Sequence, residues 1–483
     1  MVTTRSQTRA HEVPIAAFPD PRSVASSTPA SQTRPISIHS GSRSATPTQA
    51  SDVLGGDVLP TYTIDLSLPP HQRYVDLALA YKTELLSLTT LFDEVAGSAS
   101  FASVELLRST AKLLLRGLHS KEQTEELRGI AKAVGLEMYL LVAFNTLLDL
   151  FMGCTSGGIR VRDGDGSDAS TARMLHFRTL DWDMDALRQV AVTLEFVERP
   201  GGPVVARSMT YVGFVGVLTG VRPGLSLSLN FRPNHDTSSA WRALRFRGHQ
   251  LLMLLGLRPS IAAILRGYIV PPTTPHRSVL RKAAPAALPT LAQLAKAFPG
   301  VPSTAAYVIA SDGASTTVFE KDRGAAAARS SRTFIAATNH DAAMEPAIAA
   351  RAAAFDDDAP RHDAPVTAEA RIGGVECADG PILLDMLIES LDRVGCVRAK
   401  WKKVEQRFAQ TEDASGEDGG SQDEPWVDQG TVVQWLCEYP TTNNMTQFAC
   451  VMDPLKGEIV WSRRYDEAPY SDDDDIYSGD EQW

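Results

Sequence analysis

Cysteine is scarce in this chain: five in 483 residues, an odd number with no CxxC pair. A disulfide framework or a structural zinc site needs more closely spaced thiols, so neither is expected. Uncharged apolar runs of about 18 residues, long enough to cross a bilayer, are also missing. Residues 251–270 come nearest, but Arg258, Pro259 and Arg266 interrupt them. The residues after Met1 are polar, with no apolar core of a secretory signal, which leads to the expectation of an intracellular soluble protein. Basic residues are not in excess: 47 Lys and Arg against 58 Asp and Glu leave a net charge of −11, so a nucleic-acid partner is not expected. His176 and His340 lack the paired His/Glu spacing of metal ligands and read as structural; no metal and no cofactor are expected.

What is present is a chain that changes character at Cys154. Residues 1–57, rich in Ser, Thr, Pro and Arg, cannot bury enough apolar surface to offset chain entropy and read as a disordered extension. Residues 58–153 open with a strand at 60–66. They continue with helical spacing over 71–96, 103–118 and 120–133, Gly135 marking a stop, and 136–152 are apolar all round. From 154 to 465 strands dominate, one starting at Cys154 and one at Met174, with Asp163–Gly166 as the turn between them. Further strands are expected at 190–198, 204–211, 213–219, 225–231, 305–310, 316–320 and 333–337. Helices are expected at 241–257, 260–268, 291–298 and 431–436, a Pro-rich connection at 271–290, and a closing hairpin from 447–452 and 458–461. Inserts near 342–370 and 409–428 and an acidic tail at 466–483 complete an α+β body with a mainly helical start.

The chemistry gathers at Gly153-Cys154-Thr155-Ser156-Gly157-Gly158 and at Phe177-Arg178-Thr179-Leu180-Asp181-Trp182. Amide hydrolysis needs a nucleophile, a base and donors to an oxyanion. If the chain is cut between Gly153 and Cys154, the new α-amine, with an ordinary pKa of roughly 7.7–8.0, can serve as base to the thiol on the same residue. Asp181 would hold the amine and Arg178 a carbonyl or oxyanion. Three residues apart on a strand, they face opposite sides, so a bulge or a strand end is needed for both to reach Cys154. The plainer alternatives are a buried apolar cysteine and a structural Arg–Asp pair.

These blocks, with Gly213–Gly224, Thr338-Asn339-His340-Asp341, Tyr62–Pro70 and Pro440–Asn443, resemble in order the blocks of the acid ceramidase and N-acylethanolamine-hydrolysing acid amidase family, from about 60 to 465. The resemblance implies an N-terminal-nucleophile hydrolase with an αββα sandwich, made as a precursor. Residues 58–153 would be α-subunit-like and 154–465 β-subunit-like. It implies Cys154 as nucleophile and base, Arg178 and Asp181 as its helpers, and Asn230 and Asn339 as oxyanion donors. Phe231 stands where the family often has a glutamate. Arg371 is the candidate for a late, substrate-binding arginine, with Arg351 behind it. The implied substrate is an N-acylated lipid, ceramide-like or an N-acylethanolamine, in a lysosome- or vacuole-like compartment. The apolar helices at 241–270 suit an acyl-chain channel or membrane-surface contact, or simply core packing. Two rival functions share the sequence: a non-catalytic lipid-binding or scaffold relative, and an N-acyltransferase with an amine acceptor.

Overall fold

The computed structural model describes residues 58–89, 104–147, 153–163, 172–182, 184–233, 235, 239–272, 287–353, 371–372, 375–376, 380–415 and 424–469. The expected extension at 1–57, the turn at 164–166, most of the 271–290 connection, residues 354–370 of the first insert, 416–423 of the second and the tail beyond 469 lie outside them.

β1 (Thr61–Asp65) leads through a single 3-10 turn into α1 (Val75–Ala80) and α2 (Lys82–Ser87). One continuous helix is expected here, but Tyr81 breaks it at φ −112°, ψ 27°, where its hydroxyl lies 3.2 Å from that of Tyr62. Next come α3 (Val104–Leu114), α4 (Lys121–Val134) and α5 (Met138–Leu147). Ser120 caps α4 by accepting the Gln123 N–H, and Gly135 ends it in the left-handed region at φ 85°. Then follow β2 (Gly153–Val161), β3 (Arg173–Asp181), α6 (Asp185–Arg188), β4 (Ala191–Val197), β5 (Val204–Tyr211), β6 (Thr219–Arg222) and β7 (Leu225–Phe231). The strand expected at 213–219 is instead a loop, and pairing starts only at Thr219. Gly213 has φ 91°, and the Asn145 carboxamide pins the loop by donating to Gly213 O at 2.9 Å and accepting from Val215 N at 2.8 Å.

The chain continues through α7 (Ala240–Leu254), α8 (Ile261–Ile269), α9 (Leu291–Ala297), β8 (Ala306–Ser311), β9 (Thr316–Lys321), β10 (Ala326–Ser331) and β11 (Phe334–Ala337). Last come α10 (Glu345–Ala353), the short strands β12 (Arg371–Ile372) and β13 (Val375–Glu376), α11 (Gly380–Ser415), α12 (Gln429–Cys437), β14 (Thr446–Asp453) and β15 (Glu458–Arg464). Five of these were not expected: β10, α10, β12, β13 and α11. Alanine-rich β10 has little β-propensity and is held by its antiparallel pairing to β9. α10 starts the first insert, and α11 runs on into the second.

Two sheets carry the fold: β1-β4-β5-β6-β7-β8-β9-β10 and β11-β2-β3-β14-β15. They face each other. Ser156 of β2 donates to Asn230 of β7, and His176 of β3 lies 2.8 Å from both Ser226 and Ser228 of β7. Glycine at 158 is required by this approach, since a Cβ there would stand 1.9 Å from Thr316 Oγ1 on β9. Outside the five-stranded sheet, Val394, Val397 and Trp401 of α11 and Val432, Val433 and Leu436 of α12 cover Ile159, Val161, Leu175 and Phe177. α8, α9 and the N-terminal helices pack in one cluster with the eight-stranded sheet. The layers are therefore helix, sheet, sheet, helix, the αββα sandwich expected.

A buried ion cluster ties the helical start to the rest. Glu126 of α4 is 1% exposed and accepts from Arg73 at 3.0 Å and from Arg266 of α8 at 2.6 and 2.7 Å. Removing one partner of a buried ion cluster leaves charge uncompensated. Glu126→Ala should therefore cost roughly 3–5 kcal/mol in denaturant unfolding.

His176, fully buried between the sheets, is pushed down to about 3 by desolvation, with the Arg178 charge adding. The unfolded chain takes up this proton near the ordinary value of about 6.5 and the folded chain does not. The residue's stabilising contribution is thus full above about 6.5 and is lost progressively as pH falls toward 3. Between pH 7 and pH 5 that amounts to about 2 kcal/mol. Urea midpoints should show His176→Gln losing less stability on this acidification than wild type.

Candidate active site

β2 begins at Gly153 and β3 ends at Asp181, and the two pair antiparallel with Gly153 opposite Asp181, Cys154 opposite Leu180 and Ser156 opposite Arg178. The expected conflict between Arg178 and Asp181 is resolved by this strand end. Arg178 points toward the eight-stranded sheet, donating to Leu218 O at 2.6 Å and, through Nη2, to Cys154 Sγ at 3.3 Å. Asp181 lies alongside Gly153, where a Cβ would meet the Asp181 Cβ at 3.2 Å, and its Oδ2 is 3.8 Å from Arg393 of α11. The register irregularity is in β14, between Thr446 and Phe448, and Thr446 Oγ1 donates to Asp181 Oδ1 at 2.7 Å. Asp181 Oδ2 is buried without a hydrogen bond.

Asn339, just past β11, meets Cys154 from a third direction. Its Oδ1 accepts the Cys154 backbone N–H at 2.9 Å and Arg393 Nη2 at 2.9 Å, and its Nδ2 donates to Phe231 O at 2.8 Å. Two donors converging on one atom identify it as the oxygen. In this uncut chain Asn339 is therefore an acceptor for the nitrogen that would become the amine, where the family resemblance implies an oxyanion donor. Asn230 departs in the same way: its Oδ1 takes the Ser156 hydroxyl at 2.7 Å, and its Nδ2 is committed to Ala337 O and Thr338 O at 3.0 and 3.2 Å.

Cys154, Arg178, Asp181, Asn230 and Asn339 are all 0% exposed and Arg393 is 2% exposed. Burial pushes the Cys154 thiol up, with Arg178 opposing. Burial likewise pushes the Asp181 carboxyl up against the nearby Arg393, the Thr446 and Asn443 hydrogen bonds, and Arg178. The arrangement is a thiol beside a guanidinium, with an amide nitrogen held by a carboxamide oxygen and the Asp181 carboxyl beside the preceding Gly153. Arg178 offsets part of the burial effect on the thiol, and the remaining groups can orient a nitrogen and accept a proton. Among the described residues no cluster of His, Cys, Asp and Glu could hold a metal ion.

Arg393 is the member that sequence reasoning missed. Arg371 lies on the two-stranded β12–β13 ribbon and Arg351 on α10; the arginine beside Asn339 and Asp181 is Arg393, from α11. The signal was present, since Leu384, Leu387, Leu391, Val394, Val397, Trp401 and Val404 recur at helical spacing. Arg393 beside this stripe would have been placed on a helix covering the core.

α7 divides its apolar residues. Phe246 and Met253 are buried, whereas Trp241, Leu244 and Leu251, with Leu257 just beyond the helix, are 65%, 61%, 50% and 61% exposed. Among the described residues no helix is long and apolar enough to cross a membrane.

A family model described as the beta subunit of N-acylethanolamine-hydrolyzing acid amidase matches residues 57–118, within the region called α-subunit-like above. Acid ceramidase of Rattus norvegicus is 33% identical over 193 residues, 36% of this chain and 46% of that protein. A probable acid ceramidase of Caenorhabditis elegans is 31% identical over 202 residues, 39% of this chain and 48% of that protein. The chain thus spans about half the length of the curated relatives it matches. The solved structure of a Caenorhabditis elegans N-acylethanolamine-hydrolyzing acid amidase ortholog aligns with 62% of this chain and 93% of its own at 19% identity and a TM-score of 0.35. On these sequence matches, part of the chain is similar to acid ceramidases and to the N-acylethanolamine-hydrolyzing acid amidase family model.

Proposed function

We propose that the chain is an amidohydrolase that cuts itself between Gly153 and Cys154 and then cleaves the amide bond of an N-acylated lipid, ceramide-like first and N-acylethanolamine second. The observation that carries this reading is the grip on the two ends of Cys154: Arg178 Nη2 at 3.3 Å from Sγ and Asn339 Oδ1 at 2.9 Å from N.

In the self-cut the thiol sulfur adds to the Gly153 carbonyl carbon, the C–N bond breaks, and the thiol proton passes to the departing nitrogen. Water hydrolyses the resulting thioester, leaving a Gly153 carboxylate and a free Cys154 amine. Asn339 Oδ1 already faces that nitrogen, and Asp181 Oδ2, buried and without a hydrogen bond, is the acceptor for a second amine proton. Departure of Gly153 from beside Asp181 opens a site that is sealed in the uncut chain. In turnover the amine takes the thiol proton and the sulfur attacks the acyl carbonyl carbon. The C–N bond breaks with that proton moving to the leaving amine, and water hydrolyses the acyl thioester. Arg178 stabilises negative charge as it develops on sulfur. The exposed apolar residues of α7, with Arg242, Arg245 and Arg247 among them, suit contact with the lipid surface that supplies such a substrate.

Intact-mass measurement after mild acid incubation, paired with a fluorogenic N-acyl amide assay, tests this. Wild type should yield a fragment beginning at Cys154, and Cys154→Ala should stay a single chain with turnover at background. A wild-type preparation with no such fragment, or turnover that survives Cys154→Ala, would overturn the reading.

A further inference from the structure

Asn339 is held from behind as well as in front. Its backbone N–H donates to Ser390 Oγ at 2.7 Å. Ser390 lies one helical turn before Arg393 on α11, so a single turn of that helix grips Asn339 by its backbone and its carboxamide. The proton directions around Ser390 can be assigned. Thr338 Oγ1 gives its proton to Ser390 O at 2.8 Å, so it accepts from Ser390 Oγ at 2.9 Å. The Ser390 hydroxyl proton is then spent, and His340 Nδ1, 2.8 Å from Ser390 Oγ, must be the donor. The other ring nitrogen, Nε2, faces Glu345 Oε1 at 3.5 Å, and Arg398 donates to the second oxygen of Glu345 at 2.7 Å.

We propose that Ser390 and His340 are positioning residues, which set the Asn339 carboxamide against the Cys154 nitrogen most firmly when the His340 ring carries both protons. The inference rests on the reading of Cys154 as the self-cut nucleophile. With Nδ1 already a donor, a neutral ring would turn the Nε2 lone pair toward a carboxylate. A doubly protonated ring donates at both ends. Despite its partial burial, Glu345 is held down at about 2 by the bonds from His340 and Arg398, so it stays an anion as the medium acidifies. Among the described residues, the charged and titratable groups facing the ring are Glu345 from α10, with Arg398 of α11 behind it. On the ring's own segment, Asp341 is committed to Arg232 at 2.6 and 2.7 Å and to Tyr307 at 2.7 Å. Acid therefore tightens the chain that runs from Glu345 through His340 and Ser390 to Asn339.

The test compares self-cleavage rates of wild type, Ser390→Ala and His340→Gln by intact mass from pH 4 to pH 8, with thermal melts of each. The expected result is a rise toward acid in wild type, a slowing of at least about tenfold for Ser390→Ala, and a His340→Gln rate that lacks this rise. Ser390→Ala cutting at the wild-type rate, or His340→Gln keeping the wild-type acid limb, would overturn the proposal. A second arm works in the uncut Cys154→Ala background, so it stands apart from whether the chain cleaves. There hydrogen exchange at the Asn339 amide should quicken at least about tenfold on Ser390→Ala, with exchange in β7 and β8 unchanged. If the Asn339 amide stays equally protected, the positioning role is refuted even where the self-cleavage reading stands.

Discussion

The backbone N–H of Cys154 and the carboxamide oxygen of Asn339 form the hydrogen bond on which the site depends. They lie 185 residues apart in the chain and are joined because β11 pairs with β2, Ala337 opposite Ser156. The residue two places beyond Ala337 is thereby delivered to the residue two places before Ser156. An amide nitrogen buried this deeply must have an acceptor. Here the acceptor is a side chain that α11 also holds, so backbone pairing, side-chain chemistry and helix docking are satisfied together.

Burial then sets the electrostatics. A thiol and a carboxyl removed from water are both pushed toward their neutral forms, while Arg178 and Arg393 pull them back. The closeness of the sheets makes this balance strong, and it follows from a small residue at the seam: Gly158 leaves no room for a Cβ beside Thr316. Ser156 with Asn230, and His176 with Ser226 and Ser228, fill the seam with paired polar groups rather than with apolar packing. A network of this kind specifies one geometry, because a displaced member leaves its partners unbonded.

A cut at Gly153 would leave two chains, and the packing provides for holding them together. β1 lies parallel to β4 at the edge of the eight-stranded sheet. The Glu126 cluster links α4 to α8, and Asn145 pins the loop that begins at Gly213. Each contact joins a residue before Cys154 to one after it. The association of the two halves is thus a property of the core, independent of the peptide bond between them.

Much of the architecture was legible in the residues themselves. The change from helical to strand periodicity at Cys154, the Ser120 and Gly135 helix ends, and the closing hairpin are local signals, and local chemistry is enough to produce them. Cys154, Arg178, Asp181 and Asn339 could be named because they stand in ordered blocks. Their roles could not be read in the same way. Whether an asparagine offers its oxygen or its nitrogen depends on the groups that fold around it, and both Asn230 and Asn339 present their oxygens to this site. The loop at 213–218 carries strand-forming residues, yet Asn145 holds it unpaired. Arg393 and Ser390 belong to a helix whose stripe is visible in the sequence, but a period says which face is buried and not what that face meets. By itself the sequence determined most of the helices and strands, and where a nucleophile could be exposed. The tertiary structure alone decided which donors and acceptors converge on it, because hydrogen-bond direction and burial arise only when distant segments share one low-dielectric interior.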